Sequence, residues 1–79
     1  MNESPLKKQI DATLAQLETL TDEIRVQLDL ASMDVTEKWN TKYEPLLFQA
    51  REHAKAAKEA SKAAIEDTIQ AFQKFQKSL

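Results

Sequence analysis

The chain of 79 residues contains no glycine and no cysteine, and it has only two prolines, Pro5 and Pro45. Folds that are rich in β-turns depend on glycine and proline, so a β-sandwich or a β-barrel is excluded. Without glycine the chain has no glycine-rich loop of the kind that cradles phosphate. Without cysteine it has no disulfide, no thiolate metal site and no cysteine nucleophile.

Alanine, leucine, glutamate, glutamine and lysine dominate the residues that are present, and these residues cost least in a helix. A chain of this length is close to the size at which one hydrophobic core is only marginally stable. We therefore predict an all-α fold in a single domain, residues 1–79.

Long apolar runs are also missing. The opening stretch "MNESPLKKQID" lacks the apolar segment of an export signal, and no run approaches the length of a membrane span. We therefore expect a cytoplasmic protein.

Side chains that carry catalysis or bind metal are scarce. The only histidine is His53, and its neighbours Arg51 and Glu52 point in other directions on a helix. Ser61 is followed by Lys62, but adjacent residues of a helix do not face each other. We therefore predict that the protein is not an enzyme and uses no cofactor and no metal.

The net charge is −2, with the acidic excess in residues 1–44 and a basic excess in residues 45–79. Lys55, Lys58 and Lys62 make a basic ridge, but Glu52 and Glu59 interrupt it. Binding to phosphate requires net neutralisation of charge. Nucleic acid is therefore disfavoured as a partner.

Apolar side chains recur at alternating spacings of three and four, which is the pattern of a coiled-coil seam. The first seam contains Ile10, Leu14, Leu17, Thr21, Ile24, Leu28, Ala31 and Val35. The second contains Leu47, Ala50, Ala54, Ala57, Ser61, Ala64, Thr68, Ala71 and Phe75. The two seams are out of phase, so a break of register lies between 36 and 46. We predict an antiparallel helical hairpin with helices over about 5–39 and 45–78 and a turn over about 40–44.

The turn is predicted from local signals. Thr41 and Glu44 have the spacing of a capping box, and Pro45 would then lie in the first turn of the new helix. Asn40 is the residue most able to leave the first helix in a left-handed conformation. Two alternatives remain open: an earlier turn at 31–34, and one continuous kinked helix.

Several large apolar side chains lie outside the seam, and a two-helix hairpin has no third layer to cover them. Exposed stripes of this kind mark association. We predict that the hairpin dimerises into a four-helix bundle, or binds another protein, through a surface drawn from these residues. They are Val26, Leu30, Met33, Trp39, Phe48, Ile65, Ile69 and Phe72.

A lipid surface is the second functional hypothesis. The stretch "AKAAKEASKAAIEDTIQAFQKFQ", residues 54–76, is an amphipathic helix rich in alanine and lysine. In composition it resembles the repetitive helices of apolipoproteins and of phasin-like granule coat proteins, which implies a peripheral coat on lipid or on a storage granule. The stretch "LASMDVTEKWN" resembles segments of small bacterial coiled-coil proteins, a resemblance that implies no activity.

Overall fold

The computed structural model describes residues 5–79, and in this range the chain forms three helices and no strand. Helix α1 is Pro5–Leu28 and helix α3 is Glu59–Lys77. Helix α2 lies between them and has three consecutive segments: α-helical Met33–Lys38, π-helical Trp39–Tyr43 and α-helical Glu44–Ala56. The all-α prediction is therefore confirmed.

The three helices form an elongated bundle with extents of 47 × 17 × 17 Å. α1 and α3 run parallel: Lys62 contacts Gln9 near the start of both helices, and Gln76 contacts Gln27 near the end of both. α2 runs antiparallel to them. The first joint, residues 29–32, therefore lies at the same end of the bundle as residues 78–79, and the second joint, residues 57–58, lies at the other end.

The prediction of a two-helix hairpin that turns at about 40–44 is wrong. α1 already ends at Leu28, the segment Trp39–Tyr43 continues the second helix, and a further break at 57–58 interrupts the predicted helix over 45–78. The backbone N–H of Glu44 donates to the carbonyl of Trp39, five residues earlier, which is the hydrogen bond of a π turn.

The turn signals have other roles in the structure. The Thr41 hydroxyl donates to the Glu37 carbonyl at 2.9 Å instead of capping a helix, and the Glu44 carboxylate accepts from Arg25 at 2.7 Å. Pro45 lies just past the π segment. In a regular α-helix its ring would crowd the carbonyl of Thr41. Because Thr41 belongs to the wider π turn, this helix can contain Pro45.

The first joint is close to the alternative turn at 31–34, but its capping residue is Ser32. The Ser32 hydroxyl accepts from the backbone N–H of Val35 at 3.3 Å. The Thr36 hydroxyl donates to the Ser32 carbonyl at 3.2 Å. Asp34 lies in the first turn of α2, where a negative charge favours the positive end of the helix. This joint is thus formed by residues with a clear preference for helix starts.

The second joint has no such residues. Ala57 ends α2 in the left-handed conformation, at φ 55° and ψ 45°. It is the one residue other than glycine with a positive φ in the described part of the chain. Lys58 precedes α3 and has no side-chain oxygen to cap it; its own N–H donates to the Ser61 hydroxyl at 3.3 Å.

The core runs along the axis of the bundle and draws on all three helices. Its polar members satisfy their hydroxyls locally: Thr21 donates to the Leu17 carbonyl at 2.7 Å, and Thr13 donates to the Gln9 carbonyl at 2.8 Å. The buried apolar residues are Ile10, Leu17, Ile24, Trp39, Leu47, Ala50, Ala54, Ile65, Phe72 and Phe75.

Candidate interaction surface

One end of the bundle presents large apolar side chains to solvent. Leu30 in the first joint is 94% exposed and Met33 at the start of α2 is 88% exposed. Leu79, just past α3, is 42% exposed and lies at the same end because α1 and α3 are parallel. We call Leu30, Met33 and Leu79 the apical patch.

A shallow concavity of about 430 Å3 lies within this end of the bundle. Leu30 and Leu79 both line it, together with the half-buried side chain of Val35. Its lining residues are Gln27, Leu30, Ala31, Ser32, Val35, Ser78 and Leu79. A second concavity of about 360 Å3 adjoins it through Ala31 and contains Met33. The patch is therefore a ridged apolar surface and not a flat one.

The backbone of the first joint fixes the patch. Three successive N–H groups, those of Asp29, Leu30 and Ala31, donate to carbonyls three residues earlier at 3.0–3.3 Å. These tight turns end α1 before Ser32 starts α2. Because both ends of the joint are hydrogen-bonded, Leu30 is held away from the core on a short, ordered segment.

Four of the predicted interface residues are exposed: Leu30 and Met33 in the apical patch, and Val26 and Phe48 on the sides of the bundle. Phe48 lies in the middle of α2, where the guanidinium of Arg51 stands 5.7 Å from its ring centroid. A cation over an aromatic face gives Phe48 a local partner, so its exposure alone does not require a second protein.

The other four predicted residues do not form a surface. Trp39, Ile65 and Phe72 are buried in the core of the single chain, and Ile69 is half-buried against it. The prediction treats them as uncovered because it has only two helices, and the third helix supplies the missing layer. The prediction that these four residues form an interface is therefore wrong, because they belong to the core of the single chain or pack against it.

The buried rings form an aromatic cluster next to the apical patch. Phe72 meets Trp39 edge to face at 4.9 Å between centroids, and Phe75 lies 4.6 Å from Tyr43. Trp39 and Tyr43 stack within the π segment at 5.8 Å, with their planes 5° apart. These arrangements are the ones that aromatic pairs prefer, so the cluster stabilises the packing of α2 against α3 at this end of the bundle.

Leu79 is not among the predicted interface residues. In a hairpin that turns at 40–44 it lies at the open end, far from Leu30, whereas three helices bring the two to one end. Its apolar character was visible in the sequence; its position depends on the number of helices.

Charged pairs line the side where α1 meets α2. Arg51 donates two hydrogen bonds to the Glu18 carboxylate, both at 2.8 Å, and Arg25 donates one to Glu44 at 2.7 Å. The hydrogen bond from Arg51 lowers the pKa of the Glu18 carboxyl below its ordinary value, and the nearby charge of Arg51 adds to this against the effect of burial. Arg25 lies two turns after Glu18, and Glu44 lies two turns before Arg51, so the opposite pairing would join like charges. The pairs thus specify the register of α1 against α2.

Two side chains of the basic ridge, Lys55 and Lys62, make contacts within the chain. Lys55 pairs with Glu52 at 3.1 Å, and the Lys62 ammonium donates to the side-chain carbonyl of Gln9 at 3.3 Å. Among residues 5–79, no three His, Asp or Glu side chains are grouped so that they could hold a metal ion.

Within the described residues, none of the helices combines the length and the apolar character needed to cross a bilayer.

No family model, no curated protein and no solved structure matches the chain.

Proposed function

We propose that this chain is a non-enzymatic helical module that associates with copies of itself, or with another protein, through the apical patch. The observation that carries the proposal is the near-complete exposure of Leu30 and Met33 beside Leu79, at one end of a bundle whose core is otherwise covered. Clustered exposed apolar side chains mark interaction sites, whereas single ones do not. A cytoplasmic location remains part of the proposal.

The chemistry of the patch suits adaptable contact. Methionine is flexible and polarisable, so Met33 can fit partners of different shape. Ser32 and Gln27 lie around the apolar side chains and provide a polar rim. Three side chains cannot bury the roughly 1,000 Å2 of a stable interface, so we expect association of copies to be weak. The predicted dimer would then be an end-to-end pair of three-helix bundles in place of a four-helix bundle.

The lipid hypothesis has less support. The apolar residues of its amphipathic segment include Ile65, Phe72 and Phe75, and these side chains are buried in the core. Binding to a lipid surface would require α3 to leave the bundle. The exposed side of α3 is polar, so an intact bundle offers lipid mainly the small apical patch.

The test is Leu30→Glu, measured by analytical ultracentrifugation over a range of concentrations. The charge should abolish the association that depends on the apical patch without loss of helix content by circular dichroism, because the Leu30 side chain is almost fully exposed. Ala60→Glu is the matched control: it places the same charge on an exposed alanine at the other end of the bundle and should leave association unchanged.

Two outcomes would overturn the proposal. One is a parent chain that stays monomeric at every concentration and binds no protein from its own cell through Leu30. The other is flotation of the parent chain with anionic phospholipid vesicles that Leu30→Glu does not affect, which would support the lipid hypothesis instead.

A further inference from the structure

The second joint is the one place in residues 5–79 where the backbone is in a conformation that its residue disfavours. Ala57 has φ 55° and ψ 45°, where the Cβ of an L-amino acid crowds the following carbonyl oxygen. Glycine takes this conformation without penalty, and the chain has none. The turn is therefore made by a residue that would sit better in a right-handed helix.

The sequence on either side of this joint favours continuous helix. Residues 54–64 are almost entirely alanine, lysine and glutamate, which are strong helix formers. Lys58 cannot cap α3, and the only side-chain hydrogen bond at its backbone is the one to Ser61. Nothing in these residues requires the chain to turn.

The buried faces of α2 and α3 also have the same phase. At about 100° per residue, the buried residues from 47 to 75 would fall within an arc of about 80° on one uninterrupted helix. These residues are Leu47, Ala50, Ala54, Ser61, Ile65, Phe72 and Phe75. Straightening the joint would thus keep one continuous apolar stripe.

We infer that residues 57–58 are a hinge through which two copies of the chain exchange α3. With the hinge straight, residues 33–77 form one helix of about 67 Å. Its α3 portion leaves its own α1 and α2 and packs into the groove between α1 and α2 of a second copy. The α3 of the second copy packs in the same way into the groove of the first. The partner for this surface is therefore an identical chain, and the pair is closed by a two-fold axis.

The groove itself specifies this occupant. The contacts that α3 makes away from the hinge are remade in the exchanged dimer, including Lys62 with Gln9 and Gln76 with Gln27. Ile65 and Phe72 would enter the same core positions. In a single chain with a straight hinge, these apolar side chains and the groove between α1 and α2 would be exposed to water. The straight form is therefore stable only when a second copy covers both. The exchange does not use the apical patch.

The test mixes two chains with one cysteine each, Gln9→Cys and Lys62→Cys, since the parent has no cysteine. They are unfolded together, refolded at high concentration and treated with a short bismaleimide. Exchange places the two cysteines side by side on different chains and gives a covalent heterodimer. Gln9→Cys mixed with Gln76→Cys is the matched control, because these positions lie at opposite ends of the groove. Association through the apical patch brings neither pair together.

The hinge is tested by Ala57→Gly. Glycine relieves the turn and weakens the straight helix, and the dimer contains two such helices, so its dissociation constant should rise at least about 30-fold. Ala56→Gly lies in helix in both forms and should change the dissociation constant much less.

The proposal is overturned if the Gln9–Lys62 heterodimer forms no more than the control pair. It is also overturned if Ala57→Gly and Ala56→Gly weaken the dimer equally. Leu30→Glu, which addresses the apical patch, should leave this cross-link intact, so the two proposals stand or fall separately.

Discussion

The two ends of the bundle differ in what fills the core and in how the chain turns. At the aromatic end, next to the first joint, the core contains Trp39, Phe72 and Phe75. At the alanine end, next to the second joint, Ala54 and Ser61 are buried together with Ile10, and none of the described aromatic rings is buried there. The first joint is capped by a serine, and the second is turned by a strained alanine.

The difference indicates that stability is unevenly distributed along the bundle. Burial of a large ring contributes more free energy than burial of a methyl group, because the contribution follows the apolar area removed from water. Proteins open first where buried apolar contacts are few. We therefore expect the alanine end to open before the aromatic end, which is also where the exchange of α3 would begin.

The largest expected effect is at the aromatic end. Phe72→Ala removes a fully buried ring that packs on Trp39, and such changes cost about 3–5 kcal/mol. Urea unfolding followed by circular dichroism measures the loss. At the alanine end Ala54→Gly should cost only about 1 kcal/mol, mainly from helix propensity. Equal losses at the two ends would break the comparison.

The next effect has opposite signs at the two joints. Ser32→Ala removes the cap of α2 and should lower the free energy of unfolding by about 1 kcal/mol. Ala57→Gly should raise it by about 0.5–1 kcal/mol, because the turn then needs no disfavoured conformation. Ser32→Asp, which keeps a capping oxygen, is the control for the first change. Effects of the same sign at both joints would show that the second turn is not strained.

The smallest effect is the pH dependence of the Glu18–Arg51 pair. Folding lowers the pKa of Glu18, so the pair stabilises the fold above the unfolded value of about 4.3 and the contribution is lost as pH falls through the folded pKa. Both side chains are more than a third exposed, so we expect less than about 1 kcal/mol. Glu18→Gln should therefore lower urea stability at pH 7, and its effect should shrink as the pH falls through the lowered folded pKa of Glu18. Glu66→Gln, on the exposed side of α3, is the matched control.

Much of the helical structure could be predicted from the sequence. Without glycine, and with seams spaced by three and four, the chain had few alternatives to helix. The first seam coincides with the packed face of α1 only as far as Leu28: Ile10, Leu17 and Ile24 are fully buried, whereas Ala31 lies in the first joint and Val35 in α2.

The break of register between 36 and 46 is present in the structure as a π segment and not as a turn. Val35, Trp39, Tyr43 and Leu47 follow one another at spacings of four, so one residue is in excess of a regular helical stripe. A turn and an inserted residue produce the same phase shift in a sequence. The structure accommodates the excess residue in the π segment.

The second joint could not be predicted, because phase and propensity both continue through it. Only the need of Phe72 and Phe75 for a covering layer favours a third helix, and that is a tertiary requirement. The candidate surface could be predicted only in part for the same reason, since it depends on how the helices pack. Leu30 and Met33 are exposed as expected, though their interface role remains a prediction, whereas Trp39 and Phe72 changed from surface to core once α3 folded back.

The π segment has a consequence for chain length. Deleting one residue from an α-helix rotates everything downstream by about 100° and moves the buried face toward solvent. Deleting one residue from Trp39–Tyr43 would instead convert the π turn into a regular α turn, and Leu47 and Ala54 would keep facing the core. A regular α turn would also bring the ring of Pro45 against a backbone carbonyl, so the deletion should keep the fold only when Pro45 is replaced as well.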